Sequence, residues 1–183
     1  MPVTRKPLHT RRIELQAYER SDGLFEVEGR VVDTKPYDFV PIRGTRSVPA
    51  GQAIHDLGVV LAFDAQLRVQ EVRTLSDAYP YAECPEGGRA LQSLVGLSMT
   101  RGWNAEVRQR LGGERSCTHL RELLGPMATA AFQAISLLRA GQPERLDAQG
   151  RPLKIDSCYA YGAERELVRV NWPQFHRPPA QAD

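Results

Sequence analysis

Between residues 13 and 75 apolar side chains recur at every second position in four stretches, and this period of two constrains the chain more than any other feature. Ile13, Leu15 and Ala17 alternate with polar neighbours. After Ser21-Asp22-Gly23, a turn signal, Phe25, Val27, Gly29 and Val31 repeat the pattern. Leu57, Val59, Leu61 and Phe63 form a third stretch, and Leu67 and Val69 a fourth after Asp64-Ala65-Gln66. At Val72 and Leu75 the phase breaks, the mark of a bulge or a strand end. Alternating stretches joined by short turns predict hairpins, and two hairpins predict an antiparallel sheet of four or more strands with one face covered.

From Pro85 the period lengthens. Leu91, Leu94, Val95 and Met99 sit at helical spacing, and Asn104 is placed to cap a short helix carrying Val107 and Leu111 that ends at Gly112-Gly113. The main helix is predicted from Cys117 to Ala140. Its stripe is Leu120, Leu124, Met127, Ala131, Ala134 or Ile135, and Leu138, with Ser116 as N-cap. Pro126 predicts a kink or break near Leu123 to Gly125; Gly141 and Pro143 stop the helix. Alternation at Leu153, Ile155, Ser157 and Tyr159, and again at Val168, Val170 and Trp172, predicts a C-terminal hairpin. The fold class is therefore α+β, with helices packed on one face of the sheet. Residues 33–53 hold Pro36, Pro41, Gly44, Pro49 and Gly51 and read as a loop long enough to be functional. Asp33, Lys35, Tyr37 and Asp38 at its start read as solvated charges, and Trp103 as a packing anchor.

A chain of 183 residues supports one domain with a sizeable core, expected over residues 1–175, with 176–183 as a disordered tail. Net charge is only +2, with both signs well mixed, and no basic run is interleaved with aromatics, so no nucleic-acid partner is expected. No apolar stretch is long enough to span a bilayer, and the basic segment Met1–Arg12 lacks the apolar core of a secretory signal, so the expected location is cytoplasmic. The three cysteines, Cys84, Cys117 and Cys158, make an odd count that argues against a disulfide framework there.

Cys117-Thr118-His119 opens the main helix, where free backbone N–H groups and the helix dipole favour a thiolate. If Cys117 is the first helical residue, His119 points to another side of the helix; if Cys117 sits just before it, the two side chains can converge. Cys84 falls between the last strand of the second hairpin and the first helix, and His55-Asp56 precedes the third strand. A tight second hairpin would bring His55-Asp56 near Cys84, and the main helix could bring Cys117 and His119 to both. Sulfur, imidazole and carboxylate donors suit zinc, iron or an iron–sulfur cluster, and do not suit calcium or magnesium. Cys158, between tyrosines, reads as packing.

These residues resemble an uncharacterised group of bacterial proteins classed as a domain of unknown function. The shared features are His55-Asp56, Pro80-Tyr81 with Cys84, Gly102-Trp103, Gly112-Gly113, and Cys117-Thr118-His119-Leu120 leading into Leu123-Leu124-Gly125-Pro126, over residues 5 to 140. More distantly, the order of elements looks like that of the iron–sulfur cluster scaffold proteins, which have an antiparallel sheet backed by helices and a site of three cysteines and an aspartate. The resemblance places His55-Asp56 at that family's first motif, Cys84 at its second cysteine and Cys117 at its third. The first cysteine has no counterpart here, and the histidine before the third cysteine is replaced by His119, two positions after it.

Three functions fit these observations. The first is a metal- or cluster-binding accessory protein whose ligands are drawn from Cys84, Cys117, His119, His55 and Asp56, with a protein or small metabolite as partner. The second is a thiol-dependent enzyme on a small metabolite, with Cys117 as nucleophile and His119 or His55 as base. The third is a purely structural or partner-binding protein.

Overall fold

The computed structural model describes residues 2–42, 46–140 and 143–178. Gly44 and Gly141 of the sequence reading lie outside the described residues, as do residues 179–183 of the expected tail.

The alternating stretches become four antiparallel strands: β1 (Thr10–Glu19), β2 (Phe25–Thr34), β3 (Ala53–Phe63) and β4 (Val69–Ala78). They pair in sequence order, β1-β2-β3-β4, as a meander. Val27 faces Leu61, Gly29 faces Val59 and Val31 faces Leu57 across the β2/β3 ladder, so one sheet face is a continuous apolar surface. The turn before β4 is held by Asp64, whose carboxylate accepts the backbone N–H groups of Gln66 and Arg68.

Helix α1 (Trp103–Leu111) and helix α2 (Thr118–Ala134) follow. Leu120, Leu123, Leu124, Met127 and Ala131 of α2 are buried, in one cluster with Val27, Val31, Leu57, Val59 and Leu61 of the sheet. The approach is close at Gly29, where an added Cβ would meet the Met127 sulfur at 2.8 Å. Trp103 is the anchor expected of it: it is buried and its Nε1–H donates to the Leu124 carbonyl at 2.8 Å.

Several local expectations change. The segment after Pro85 is not an α-helix but a 3-10 run, Cys84–Leu94, that buries Gly88, Leu91 and Leu94. Gly102, at φ 95°, is the N-cap of α1, and Asn104 lies inside the helix. Helix α2 runs unbroken through Pro126, which is exposed, so water can meet the carbonyl that Pro126 leaves without a donor. The break comes instead at Ile135, before the short helix α3 (Ser136–Ala140). Strand β1 is an exposed edge with only Leu15 half-buried.

The chain divides into two compact units, Met1–Leu137 and Leu138–Asp183. The second unit has a small cluster of its own, Ile155, Ala163 and Val168, with Trp172 and Phe175 packed against it. The C-terminal hairpin expected there does not form. Val168 and Val170 lie on a helix, α4 (Glu166–Asn171), which buries Val168 and leaves Val170 exposed. Asp156 turns the chain at φ 65° and accepts the Ala163 N–H at 2.7 Å, so the segment before α4 is a looped turn.

Candidate metal centre

At one end of the sheet the apolar face turns polar. Arg11 pairs with Asp33 across β1/β2, and Asp33 pairs with His55 across β2/β3. Directly opposed residues share a face, so these three side chains form a row that continues the stripes of Ile13, Val31 and Leu57. The ladder shifts register between Asp33 and Thr34, where Thr34 pairs with Ala53. This bulge explains how both Ile54 and His55, neighbours in sequence, come to line one cavity.

Helix α2 completes the group. Cys117 is its N-cap, in an extended conformation, and Ser116 instead donates its hydroxyl to the Leu111 carbonyl. The Cys117 N–H donates to the Gly87 carbonyl at 3.1 Å, which docks the helix start on the 3-10 segment. With Cys117 just outside the helix, its sulfur reaches His119 Nδ1 at 3.9 Å. The His119 ring lies over the His55 ring with centroids 3.9 Å apart.

Asp33 is the centre. Its side chain is 1% exposed. Arg11 grips it with two hydrogen bonds of 2.8 Å, Nε to Oδ1 and Nη2 to Oδ2. His9 Nε2 lies 3.0 Å from Oδ1, His55 Nδ1 3.1 Å from Oδ2, and His119 Nε2 3.8 Å from Oδ2. Three of the four histidines in the sequence therefore converge on one carboxylate.

Burial is the largest single influence on the Asp33 carboxyl and raises its pKa, but the hydrogen bonds and charge of Arg11, with His55 and His9, together outweigh it and hold the value at about 2. His55 is held below the usual imidazole range, first by burial and then by the neighbouring His119. For Cys117, burial works to raise the thiol; the His119 ring and the N–H groups of Leu120 and His119 reverse that and leave it lowered. The resting forms are a carboxylate and a neutral His55.

Among the described residues, Asp33, His55 and His119 are the one group of three or more ligand-type side chains whose donor atoms all lie within 4.8 Å of one another. Such donors fit a transition metal. A tetrahedral ion with bonds of about 2.1 Å spaces its ligand atoms by about 3.4 Å, between the 3.1 and 3.8 Å separations seen here.

Of the residues expected from sequence, His55 and His119 are brought together and Cys117 stands beside His119. Asp56 is not with them. Strand alternation turns it to the opposite face, where Arg30 Nε holds it at 2.6 Å. Cys84 opens the 3-10 segment, half-buried, and lies outside the close group. Asp33, expected as a solvated loop charge, is the last inward position of β2. His9 and Arg11 were missed as well. The signal was the alternation itself, which runs from Ile13 back to Arg11 and His9, from Val31 on to Asp33, and from Leu57 back to His55.

The group opens into a cavity of about 340 Å³, which Lys35, Phe39, Pro41, Pro80 and Tyr81 also line. Residues of the 33–53 loop thus form part of its wall. A larger hollow of about 460 Å³ beside Trp103 and Gly125 has Arg101 as its only charged lining residue among the described ones, so the ligand-type side chains are concentrated in the smaller one. No helix among the described residues is long and apolar enough to cross a membrane.

Curated proteins and solved structures offer no match to this chain. A family model described as a protein of unknown function (DUF2889) matches residues 9–133, more than half of the chain. The match begins at His9 and takes in Asp33, His55, Cys84, Cys117 and His119, so the whole polar group lies within the shared region. On that match the chain belongs to the DUF2889 family.

Proposed function

We propose that the protein binds a single divalent transition-metal ion, zinc or iron, through Asp33, His55 and His119. The observation that carries this reading is the convergence of an ionised carboxylate and two imidazoles at ligand spacing. Two histidines and one carboxylate are a common protein donor set for zinc and for non-haem iron. Three protein ligands leave an open position, where such an ion supplies Lewis acidity or an activated water. Cys117 and His9 stand next to the ligands and orient them. An iron–sulfur cluster is held chiefly by thiolates, and this trio offers none, which favours a mononuclear ion.

The test is metal analysis of the full chain, purified without a metal-affinity column and then reconstituted with zinc or ferrous iron. The expected result is about one equivalent per chain, lost in His55→Ala and His119→Ala. Less than about a tenth of an equivalent after reconstitution would sink the proposal, because a built site of this ligand type binds tightly.

A second reading is favoured by one contact. Cys117 Sγ, His119 and Asp33 lie in sequence, 3.9 Å from sulfur to Nδ1 and 3.8 Å from Nε2 to carboxylate, in the order of a nucleophile, its base and the group that orients the base. A thiol enzyme of this kind predicts that Cys117 is alkylated by iodoacetamide at neutral pH ahead of Cys84 and Cys158. Equal, slow labelling of all three counts against it.

A further inference from the structure

We infer that the cavity over Asp33, His55 and His119 takes a small organic carboxylate, with Lys35 as its charged anchor, a reading that rests on the metal site proposed above.

The argument begins with charge. Among the described residues the only acid lining the cavity is Asp33, and Arg11 already grips both of its oxygens. Nothing in the wall is left to answer Lys35. Its ammonium stands 5.4 Å from the Tyr37 ring centroid and 5.5 Å from that of Phe39, and among the described residues no carboxylate lies within ion-pair distance of it. Lys35 is half-buried. A half-buried ammonium set over aromatic faces, with no counterion among the described residues, is placed to pair with an anion supplied from outside. A divalent ion on Asp33 deepens this demand, because it adds two positive charges to a wall that has one negative charge.

Shape and polarity then select the kind of anion. Phe39, Pro41, Ile54, Pro80 and Tyr81 present apolar surface to the same space. Inorganic phosphate would leave that surface wet, whereas an apolar or aromatic body carrying one carboxylate covers it. The volume, about 340 Å³, is near the lower end of the range for small-molecule sites, about 300–1,000 Å³. The bulge at Ile54 serves this arrangement by setting an apolar side chain beside the metal-binding His55.

The experiment is calorimetric titration of the zinc-loaded full chain with benzoate, benzyl alcohol and inorganic phosphate, with metal content measured on each sample. The expected outcome is saturable benzoate binding in the millimolar range or tighter, no binding of the neutral alcohol, and a loss of about tenfold or more in Lys35→Met that Lys35→Arg partly restores. Normal zinc content in Lys35→Met shows that the variant is folded. Zinc uptake with no benzoate binding, or with binding indifferent to Lys35→Met, overturns this inference and leaves the metal reading standing. Phosphate binding as tight as benzoate overturns the commitment to an organic body. Failure to take up zinc refutes the metal reading, and benzoate binding to the metal-free chain that depends on Lys35 would then support the carboxylate site alone.

Discussion

His55 and Asp56 are consecutive residues of β3, and each belongs to an arginine–carboxylate cluster on its own face of one sheet. On the face covered by α2, Arg11 of β1 grips Asp33 of β2. On the other face, Arg30 of β2 grips Asp56 of β3 and also reaches Asp77. The chemistry of the two pairs is the same and their surroundings are not. Asp33 is 1% exposed, Asp56 22%. The buried carboxylate gathers three imidazoles besides its arginine, while the half-buried one gathers none among the described residues. The arginines are about equally exposed, 33% and 36%, so the difference lies at the carboxylate: beside helix α2 it is shut off from water and gains His119 as a neighbour. In water such a pair is worth up to about 1 kcal/mol. The buried carboxylate depends more heavily on its partners, because an uncompensated buried charge costs several kcal/mol.

The largest expected effect breaks the comparison directly. Asp33→Asn removes the buried carboxylate that holds Arg11 and the imidazoles and leaves the 33%-exposed Arg11 with Glu122 as its remaining acid, so it is expected to cost about 2–3 kcal/mol in urea unfolding and to abolish metal uptake. Asp56→Asn, on the other face, is expected to cost no more than about 1 kcal/mol and to leave uptake intact. Equal costs for the two would mean that burial does not distinguish the clusters.

Acid should separate the two faces next. The Asp33 carboxyl is depressed from 3.8 to about 2 in the folded chain. A depressed carboxyl adds stability that is fully present above its unfolded value and is lost as pH falls through its folded value. The contribution is about 2 kcal/mol at 1.36 kcal/mol per pKa unit. His55, also depressed, acts with the same sign: its share is present above the ordinary imidazole value, about 6.5, and fades as pH falls through its lower folded value. In the metal-free chain, stability should therefore decline from weakly acidic pH downward. The steepest loss from Asp33 should fall between about pH 4 and pH 2. Asp56→Asn should preserve that decline, and Asp33→Asn should remove its lower part. A decline unchanged in Asp33→Asn would assign the acid lability to other groups.

The sheet was legible because alternation reports burial, and burial on one face is what the four strands share. The site was legible in part, for a related reason. His55 and His119 stood out as residue types, but Asp33, Arg11 and His9 look like solvated charges until the inward phase of each strand is carried one or two residues past its last apolar position. Asp56 misled for the converse reason: adjacency in sequence suggests a shared site, whereas in a strand it guarantees opposite faces. The segments that escaped sequence reading lack a dominant period. Cys84–Leu94 has apolar residues at helical spacing, yet Pro85, Gly87 and Gly88 weaken it as an α-helix, and it folds as a 3-10 run. Val168 and Val170 alternate over too few residues to separate a strand from the short helix they occupy.

The smallest effect should be the most selective, because it touches the position of the helix and leaves the donors alone. A Cβ on Gly87 would stand 2.8 Å from the Cys117 backbone nitrogen and 3.0 Å from its Cβ. Backbone cannot swing aside as a side-chain tip can, so in Gly87→Ala the first turn of α2 must move by some tenths of an ångström, and His119 moves with it. The apolar face of α2 farther along, at Leu124 and Met127, can stay packed on the sheet. Expected is a loss of global stability of about 1 kcal/mol, together with a fall in zinc affinity of about tenfold or more, in the range seen when the groups that orient metal ligands are disturbed. The Arg30 face, on the far side of the sheet, should not respond, and Asp56→Asn in the same background should add its own small cost independently. Unchanged zinc affinity in Gly87→Ala would mean that the site tolerates a displaced helix start, and that the contrast between the two faces rests on burial alone.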